Sequence, residues 1–192
     1  MGAARELLSQ GRHPTVEDAA EAAEISRATA YRYFPNQRAL LVAAHPEIEA
    51  TTLLGDDPPG DPEERLERAI REFIRLVIET EPELRMTLRL SLDPEPPEEL
   101  LLRQGRAIAW IEEALAPLRG RVERAELRRL VLAIRSACGI EALIWLTDVA
   151  GLSHDRAAEL MRWSALALLR STLAEAHATT RQGTTSAPSS SS

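Results

Sequence analysis

Apolar residues recur at helical spacing along most of this chain, and short polar loops separate the segments that carry them. After a loop at residues 55–60, Asp61 and Pro62 form a typical helix start, in which the aspartate caps the helix and the proline occupies its first turn. The apolar residues that follow recur every three or four positions, as one face of a helix requires. They are Leu66, Ile70, Phe73, Ile74, Val77 and Ile78.

Residues 84–92 can be interpreted in two ways. Their apolar residues alternate with polar ones, which is typical of a strand, but Leu84, Leu88 and Leu92 also fit one helical face. No second segment of the sequence has a strand pattern that could pair with them. We therefore predict a helix here and an all-α fold, which also suits a chain that is 44% hydrophobic but only 4% aromatic.

The C-terminal part of the chain is predicted to hold three further helices, of which the last two are long. They cover about residues 98–117, 121–150 and 153–176. The last helix carries small residues beside large apolar ones such as Trp163, so it is predicted to be buried on more than one side. Two interpretations remain open, namely a four-helix interface with a second copy of the chain and burial wholly within the monomer.

Residues 15–41 have a different pattern, in which two short helices are joined by a tight turn. Thr15 followed by Asp18 marks a helix start, and alanines at positions 19, 20, 22 and 23 keep that helix slim. Ser26 offers a new N-cap after a break at Glu24 and Ile25. Two helices that cross at small residues beside a short turn form the helix-turn-helix pattern of DNA-binding proteins.

The distribution of charge supports this interpretation. The chain has a net charge of −7, yet residues 26–41 contain no acidic residue and include Arg27, Arg32 and Arg38. Residues 1–45 hold five arginines and five acidic residues, so the whole negative charge lies in the remainder. A local basic segment in an acidic chain favours DNA binding by that segment and argues against a protein that coats nucleic acids generally.

Residues 15–41 resemble the DNA-binding motif of the TetR family of bacterial one-component regulators. The residues that fit the family pattern are Thr15, Val16, Asp18, Ala20, Ala22, Ala23, Ser26, Thr29, Tyr31, Tyr33, Phe34, Leu40 and Leu41. The resemblance implies an N-terminal helix-turn-helix, three-helix DNA-binding domain at residues 1–45. It also implies a helical ligand-binding and dimerisation domain at residues 46–178. The Ser/Thr-rich residues 179–192 are predicted to form a disordered tail.

The resemblance also implies a set of DNA-binding residues on the second helix and at its flanks. The set is Thr15, Ser26, Arg27, Ala28, Thr29, Tyr31, Arg32, Tyr33 and Gln37. Residues 27–29 are expected to face base edges, whereas positions 15, 31, 33 and 37 are expected to touch phosphates. As in the family, we expect a homodimeric repressor that binds a palindromic, double-stranded DNA operator and is released by a small hydrophobic effector.

Three residues depart from the family pattern. Glu24 stands where glycine is usual, at a turn position that often needs a positive φ, so backbone strain is expected there. Ala30 replaces a leucine beneath the second helix, and Gln37 replaces a lysine that contacts phosphate. One interpretation is a variant that still binds DNA. The alternative is a helical ligand-binding or interaction protein that has lost DNA binding.

The helices after Asp61 are predicted to enclose a mainly apolar ligand pocket. Its candidate lining residues are Phe73, Val77, Met86, Leu90, Trp110, Ile134, Cys138 and Trp145. Arg135 and Glu141 are the only charges between residues 130 and 147, so each is a candidate polar anchor there, although such residues more often reach solvent. Pro46 is expected to place a hinge between the two domains.

The sequence indicates no catalytic or metal chemistry. The four histidines lack partners at metal-ligand spacing, and there is no phosphate loop or nucleophile motif, so neither an enzyme nor a cofactor or metal site is expected. A single cysteine excludes an internal disulfide and fits the reducing cytoplasm. No apolar run reaches membrane-spanning length. The first helix is shorter than in the family, which suggests a start codon further upstream.

Overall fold

The computed structural model describes residues 2–10, 12, 14–44, 50–92 and 105–185, and the regular structure within them is helical. Its elements are α1 (Gly2–Ser9), α2 (Val16–Ala22), α3 (Arg27–Tyr33), α4 (Gln37–Ala43), α5 (Pro62–Glu79), α6 (Glu81–Ser91), α7 (Gly105–Ala114), a 3₁₀ turn (Ala116–Leu118), α8 (Arg124–Cys138), α9 (Ile140–Ile144), a π-helical turn (Trp145–Val149) and α10 (His154–Thr185). In this part of the chain, β-type pairing is limited to an isolated bridge between Arg119 and Val122. The predicted all-α fold is confirmed.

The described residues fall into two compact units. The N-terminal unit draws on Met1–Thr51 and Arg75–Arg106, and the C-terminal unit draws on Thr52–Ile74 and Ala107–Ser192. Helix α5 therefore begins in the C-terminal unit and ends in the N-terminal unit, to which α6 also belongs. The predicted DNA-binding domain at residues 1–45 and the predicted ligand-binding and dimerisation domain at residues 46–178 remain predictions.

The core of the N-terminal unit is built by α1, α2, α3, α4 and α6. Its buried residues are Ala4, Leu8, Val16, Ala19, Ala20, Ala30, Leu40, Leu41, Ala44, Met86 and Leu90. Helix α2 packs directly against α3, and α6 packs against α1 and α4. The alanines allow close packing of the first helices, and Met86 and Leu90 of α6 supply bulk to the same core.

In the C-terminal unit, α10 packs against α8 along one row of residues. Ala157, Met161, Ala165 and Leu169 are four positions apart and all are buried, as neighbours on one helical face should be. The facing helix contributes buried Leu130, Val131, Ile134 and Cys138. Helix α10 therefore buries one face within this unit, whereas Trp163, on the side that was also predicted to be buried, is 64% exposed. Burial of a second side stays a prediction.

Arg65 of α5 holds the end of α7. Its Nε donates to the carbonyl oxygen of Ala114 at 3.1 Å, and its Nη2 donates to that of Glu113 at 3.0 Å. Its Nη1 donates to the carbonyl oxygen of Pro59 at 3.1 Å, in the loop before α5. Because a helix leaves its last carbonyl groups without internal partners, this guanidinium supplies hydrogen bonds that α7 lacks.

The predicted continuous helix over residues 121–150 is wrong. Helix α8 ends at Cys138, and Gly139 is extended, with φ −86° and ψ −178°, before α9 begins. The Arg135 guanidinium lies 3.0 Å from the Glu141 carboxylate, and a Cβ atom at Gly139 would collide with both groups. Glycine therefore leaves room for an ion pair that joins the two sides of the break.

Other predicted elements agree with the structure, with changes at their ends. Asp61 caps α5, because its Oδ2 accepts from the backbone N–H groups of Glu63 at 2.9 Å and Glu64 at 3.0 Å. Residues 84–92, for which a helix was predicted, lie in or directly after α6. Helix α10 extends to Thr185, beyond the predicted end near residue 176 and into the predicted tail. The predicted hinge at Pro46, the start of the helix predicted from residue 98 and the last tail residues lie outside the described residues.

Candidate nucleic-acid interface

The first turn of α2 is fixed by a reciprocal cap. The Asp18 backbone N–H donates to Thr15 Oγ1 at 3.1 Å, and the Thr15 backbone N–H donates to Asp18 Oδ2 at 2.8 Å. The Thr15 hydroxyl also donates to Asp18 Oδ2, at 2.8 Å. The hydrogen bond from the Thr15 backbone, followed by that from the Thr15 hydroxyl, lowers the pKa of Asp18. The capping box predicted from residues 15 and 18 is confirmed, and it leaves the Thr15 side chain exposed at the start of the helix.

The turn between α2 and α3 contains a residue in the left-handed region. Glu24 has φ 54°, as its place in the motif predicts. The Glu24 N–H donates to the carbonyl oxygen of Glu21 at 3.1 Å, and the Ile25 N–H donates to that of Ala20 at 3.0 Å. These bonds hold a tight turn with a non-glycine residue, for which a left-handed conformation costs roughly 1–2 kcal/mol.

Helix α3 presents its first turn to solvent. Ser26 caps it, because Ser26 Oγ accepts from the Thr29 backbone N–H at 3.1 Å, and Arg27 and Ala28 are exposed. On the other side of the helix, Ala30 lies in the core of the unit, with a relative exposure of 3%. The buried side of α3 therefore carries the small side chain of Ala30. Its exposed first turn carries Arg27, whose guanidinium has several hydrogen-bond donors.

Tyrosine side chains lie at the flank of this turn. The Tyr31 hydroxyl donates to Glu17 Oε1 at 2.6 Å, which ties α3 to α2. Further along α3, Tyr33 is 65% exposed, and the Arg32 guanidinium lies 5.3 Å from the centre of its ring. Tyr31 and Tyr33 are thus accessible from solvent, and Tyr31 already has a partner within the protein.

Gln37 contacts the chain that enters α2. Its Nε2 donates to the carbonyl oxygen of Pro14 at 3.1 Å, across 23 positions of sequence. The start of α4 is capped by Asn36, whose Oδ1 accepts from the Ala39 backbone N–H at 2.8 Å. Where a lysine would offer a charge to phosphate, this glutamine links the start of α4 to the residue before Thr15.

The structure brings the nine predicted DNA-binding residues into one unit, on α3 and at the adjoining starts of α2 and α4. Eight of them are exposed, and Thr29 is half-buried. Sequence reasoning did not include Glu17, the partner of Tyr31. No local signal marks that contact, because it joins residues 14 positions apart and depends on how α2 packs against α3. The DNA contacts themselves remain predictions.

The eight predicted ligand-pocket residues do not lie in one core. Phe73 and Trp110 are buried in the C-terminal unit with their ring centroids 6.3 Å apart, and Ile134 and Cys138 are buried in the same unit. Met86 and Leu90 belong to the N-terminal core, and Val77 is buried in the part of α5 assigned to that unit. Trp145 is 59% exposed on the π-helical turn.

The two candidate polar anchors bind each other. Burial by itself raises the pKa of Glu141. The hydrogen bonds and charge of Arg135, together with a backbone hydrogen bond, outweigh this effect, and the pKa of Glu141 lies below its ordinary value. The nearby Cys138 thiol donates to the carbonyl oxygen of Met161 at 3.4 Å. Burial raises the pKa of Cys138 to about 12, so this thiol stays protonated at neutral pH.

Within the described ranges, no group of three or more metal-ligating side chains occurs. Also within them, no single helix has the length and apolar character needed to cross a membrane. Helix α8 and the segment Ile140–Val149 meet that condition only together, as a pair bent by 40°.

Residues 1–44 match the sequence model of a family described as bacterial regulatory proteins, tetR family. Neither a curated protein nor a solved structure matches the chain. The matched residues contain α1, α2, α3 and α4, so the resemblance that residues 15–41 carry is confirmed.

Proposed function

Because residues 1–44 match the sequence model of the tetR family of bacterial regulatory proteins, we propose that this chain is a transcriptional repressor that binds a near-palindromic operator as a homodimer. A small hydrophobic effector releases it from the DNA. The observation that carries the proposal is the capped first turn of α3, which exposes Arg27 and Ala28 beside the accessible Tyr31. The protein acts in the cytoplasm, where operator DNA is found.

In this proposal, α3 lies in the major groove. The arginine at its first turn can donate two hydrogen bonds to the O6 and N7 atoms of guanine, the commonest specific contact in the major groove. Thr15, Tyr31 and Tyr33 contact phosphates at the flanks and fix the position of the helix without reading sequence. Arg27→Ala should therefore change the preferred sequence, whereas Tyr33→Phe should weaken binding to all sequences alike.

A second copy of the chain is the proposed partner of the C-terminal unit. Helix-turn-helix regulators bind two half-sites through a twofold dimer, so a chain with one such motif needs a surface for its own copy. Among the described residues of this unit, the exposed large apolar side chains are Leu132, Trp145, Val149, Leu160 and Trp163. Trp163 is 64% exposed and lies on the side of α10 away from its buried row, with Ala167 one turn further on.

The dimer proposal has a direct test in sedimentation. Ala167→Arg should give a monomer, because it places an unpaired charge at a close-packed interface. Ala125→Arg, the same change in the exposed first turn of α8, should leave a dimer. If the unmodified protein sediments as a monomer, this part of the proposal is wrong.

The proposed effector binds in the C-terminal unit, where Phe73 and Trp110 form a buried aromatic pair. A ligand changes DNA affinity only if it binds one arrangement of the protein better than another. Helix α5 carries Phe73, and a single residue separates its end from the start of α6. Helix α6 packs against α1 and α4. We propose that an effector which displaces α5 acts on the DNA-binding helices through α6.

Selection of duplexes from a randomised DNA library tests the proposed function. The protein should enrich a near-palindrome with half-sites about one or more helical turns apart. If no sequence is enriched and DNA flanking its own gene is not bound, the alternative of a helical ligand-binding or interaction protein without DNA binding is supported instead. A partner search with the C-terminal unit intact would then replace the search for an operator.

A further inference from the structure

Glu17 places a carboxylate against Tyr31, a residue of the proposed DNA-binding surface. Its Oε1 accepts a hydrogen bond from the Tyr31 hydroxyl at 2.6 Å, and Arg27 begins α3, the helix that carries Tyr31. The pKa of Glu17 lies below its ordinary value, mainly because of the Tyr31 hydrogen bond and next because of a backbone hydrogen bond. Thr15 and Arg27 lower it further by smaller amounts. The carboxylate is therefore ionised at neutral pH.

The hydrogen bond has a consequence for phosphate binding by Tyr31. A phenol has a single O–H donor, and here that donor already serves a carboxylate, which forms stronger hydrogen bonds than a neutral acceptor does. The same contact raises the pKa of Tyr31, mainly through the Glu17 hydrogen bond. A phosphate must therefore displace Glu17 from Tyr31, and it must approach against the negative charge of Glu17.

We propose that Glu17 is a positioning residue that orients Tyr31 and lowers affinity for DNA of every sequence, so that tight binding depends on base contacts made by α3. The proposal rests on the DNA-binding function proposed above. It predicts two separable effects of Glu17. Its charge opposes the phosphate backbone generally, and its hydrogen bond restricts the rotamers of Tyr31 on the surface that meets the operator.

Two substitutions separate these effects. Glu17→Gln removes the charge but keeps an oxygen that can accept the Tyr31 hydroxyl. Glu17→Ala removes both. The matched control is Glu21→Gln, which removes an exposed carboxylate one turn further along the same helix and so shows whether the effect depends on the position of the lost charge. Thermal unfolding of each protein, followed by circular dichroism, separates a change at the surface from a loss of fold.

The measurement is fluorescence anisotropy on two duplexes, one enriched from the library by the unmodified protein and one of random sequence. Glu17→Gln should bind the random duplex more tightly, so that the ratio of affinities for enriched and random duplexes falls. Removal of one opposing charge should also steepen the salt dependence. Between about 50 and 200 mM salt, the loss of affinity should be about threefold larger than in the unmodified protein.

Glu17→Ala should share the gain on the random duplex but bind the enriched duplex more weakly than Glu17→Gln does, because Tyr31 is no longer held. Equal affinity and equal salt dependence in Glu17→Gln and the unmodified protein would overturn the proposal. So would a matching change in Glu21→Gln. If the unmodified protein enriches no duplex at all, the proposed function fails first, at the selection step, and this proposal fails with it.

Discussion

The substitution Glu24→Gly should stabilise the protein, because it removes strain from the turn between α2 and α3. With φ 54°, Glu24 lies in the left-handed region, where a Cβ atom crowds the following carbonyl oxygen at a cost of roughly 1–2 kcal/mol. Glycine removes this cost, but its greater freedom in the unfolded chain offsets about 0.5–1 kcal/mol of the gain. The net stabilisation should be about 0.5–1 kcal/mol, which corresponds to a rise in Tm of about 1–4 °C for a chain of this length.

Two further variants at the same position isolate the backbone effect. Glu24→Ala keeps the Cβ atom and removes only an exposed carboxylate, so its stability should stay within about 0.5 kcal/mol of the unmodified protein. Glu24→Asn should fall between alanine and glycine, because asparagine tolerates the left-handed region better than most residues. Urea unfolding followed by circular dichroism gives the order. Equal stabilisation by alanine and glycine would refute the reasoning, since the gain would then come from the lost charge.

Three other predictions concern DNA affinity, helix capping and the buried thiol. Gln37→Lys should tighten DNA binding and steepen its salt dependence by about one charge, as measured by anisotropy in a salt series; an unchanged slope would show that position 37 does not face phosphate. Arg65→Ala should lower the free energy of unfolding by about 1–3 kcal/mol, because it removes the donor for the Glu113 and Ala114 carbonyl groups; a loss within error in urea unfolding would contradict this role. Cys138, whose pKa burial raises to about 12, should resist iodoacetamide at about pH 8 until the protein unfolds. Because the folded thiol keeps its proton where the unfolded thiol loses it, Cys138 should reduce stability as pH rises above about 9.

The N-terminal motif could be predicted from the sequence because its determinants are local. The cap of Thr15 on Asp18 and the cap of Ser26 on Thr29 each join residues three positions apart. The strained turn at Glu24 follows from one residue where glycine is usual. Such contacts depend on the chain within a single helical turn, so residue types at fixed spacing are sufficient to predict them.

The remaining features depend on packing between distant parts of the chain. Hydrophobic spacing predicted a helical face formed by Leu84, Leu88 and Leu92, but α6 instead buries Met86 and Leu90, which join the core of the DNA-binding helices, and leaves Leu92 77% exposed. The spacing of apolar residues also predicted one continuous helix through Gly139. A break of one residue scarcely changes that spacing, so the pattern does not reveal it. The contact between Tyr31 and Glu17 joins two helices, and only the folded unit reveals it.

The central claim is that two copies of this chain bind one twofold DNA site through α3. Sedimentation of the protein with the enriched duplex, combined with hydroxyl-radical footprinting, tests it most directly. We predict two chains per duplex and two protected segments whose centres are about 34–36 Å apart, or a multiple of that distance. Arg27→Ala should keep the stoichiometry but lose the preference for the enriched sequence. One chain per duplex, or a single protected segment, would contradict the account.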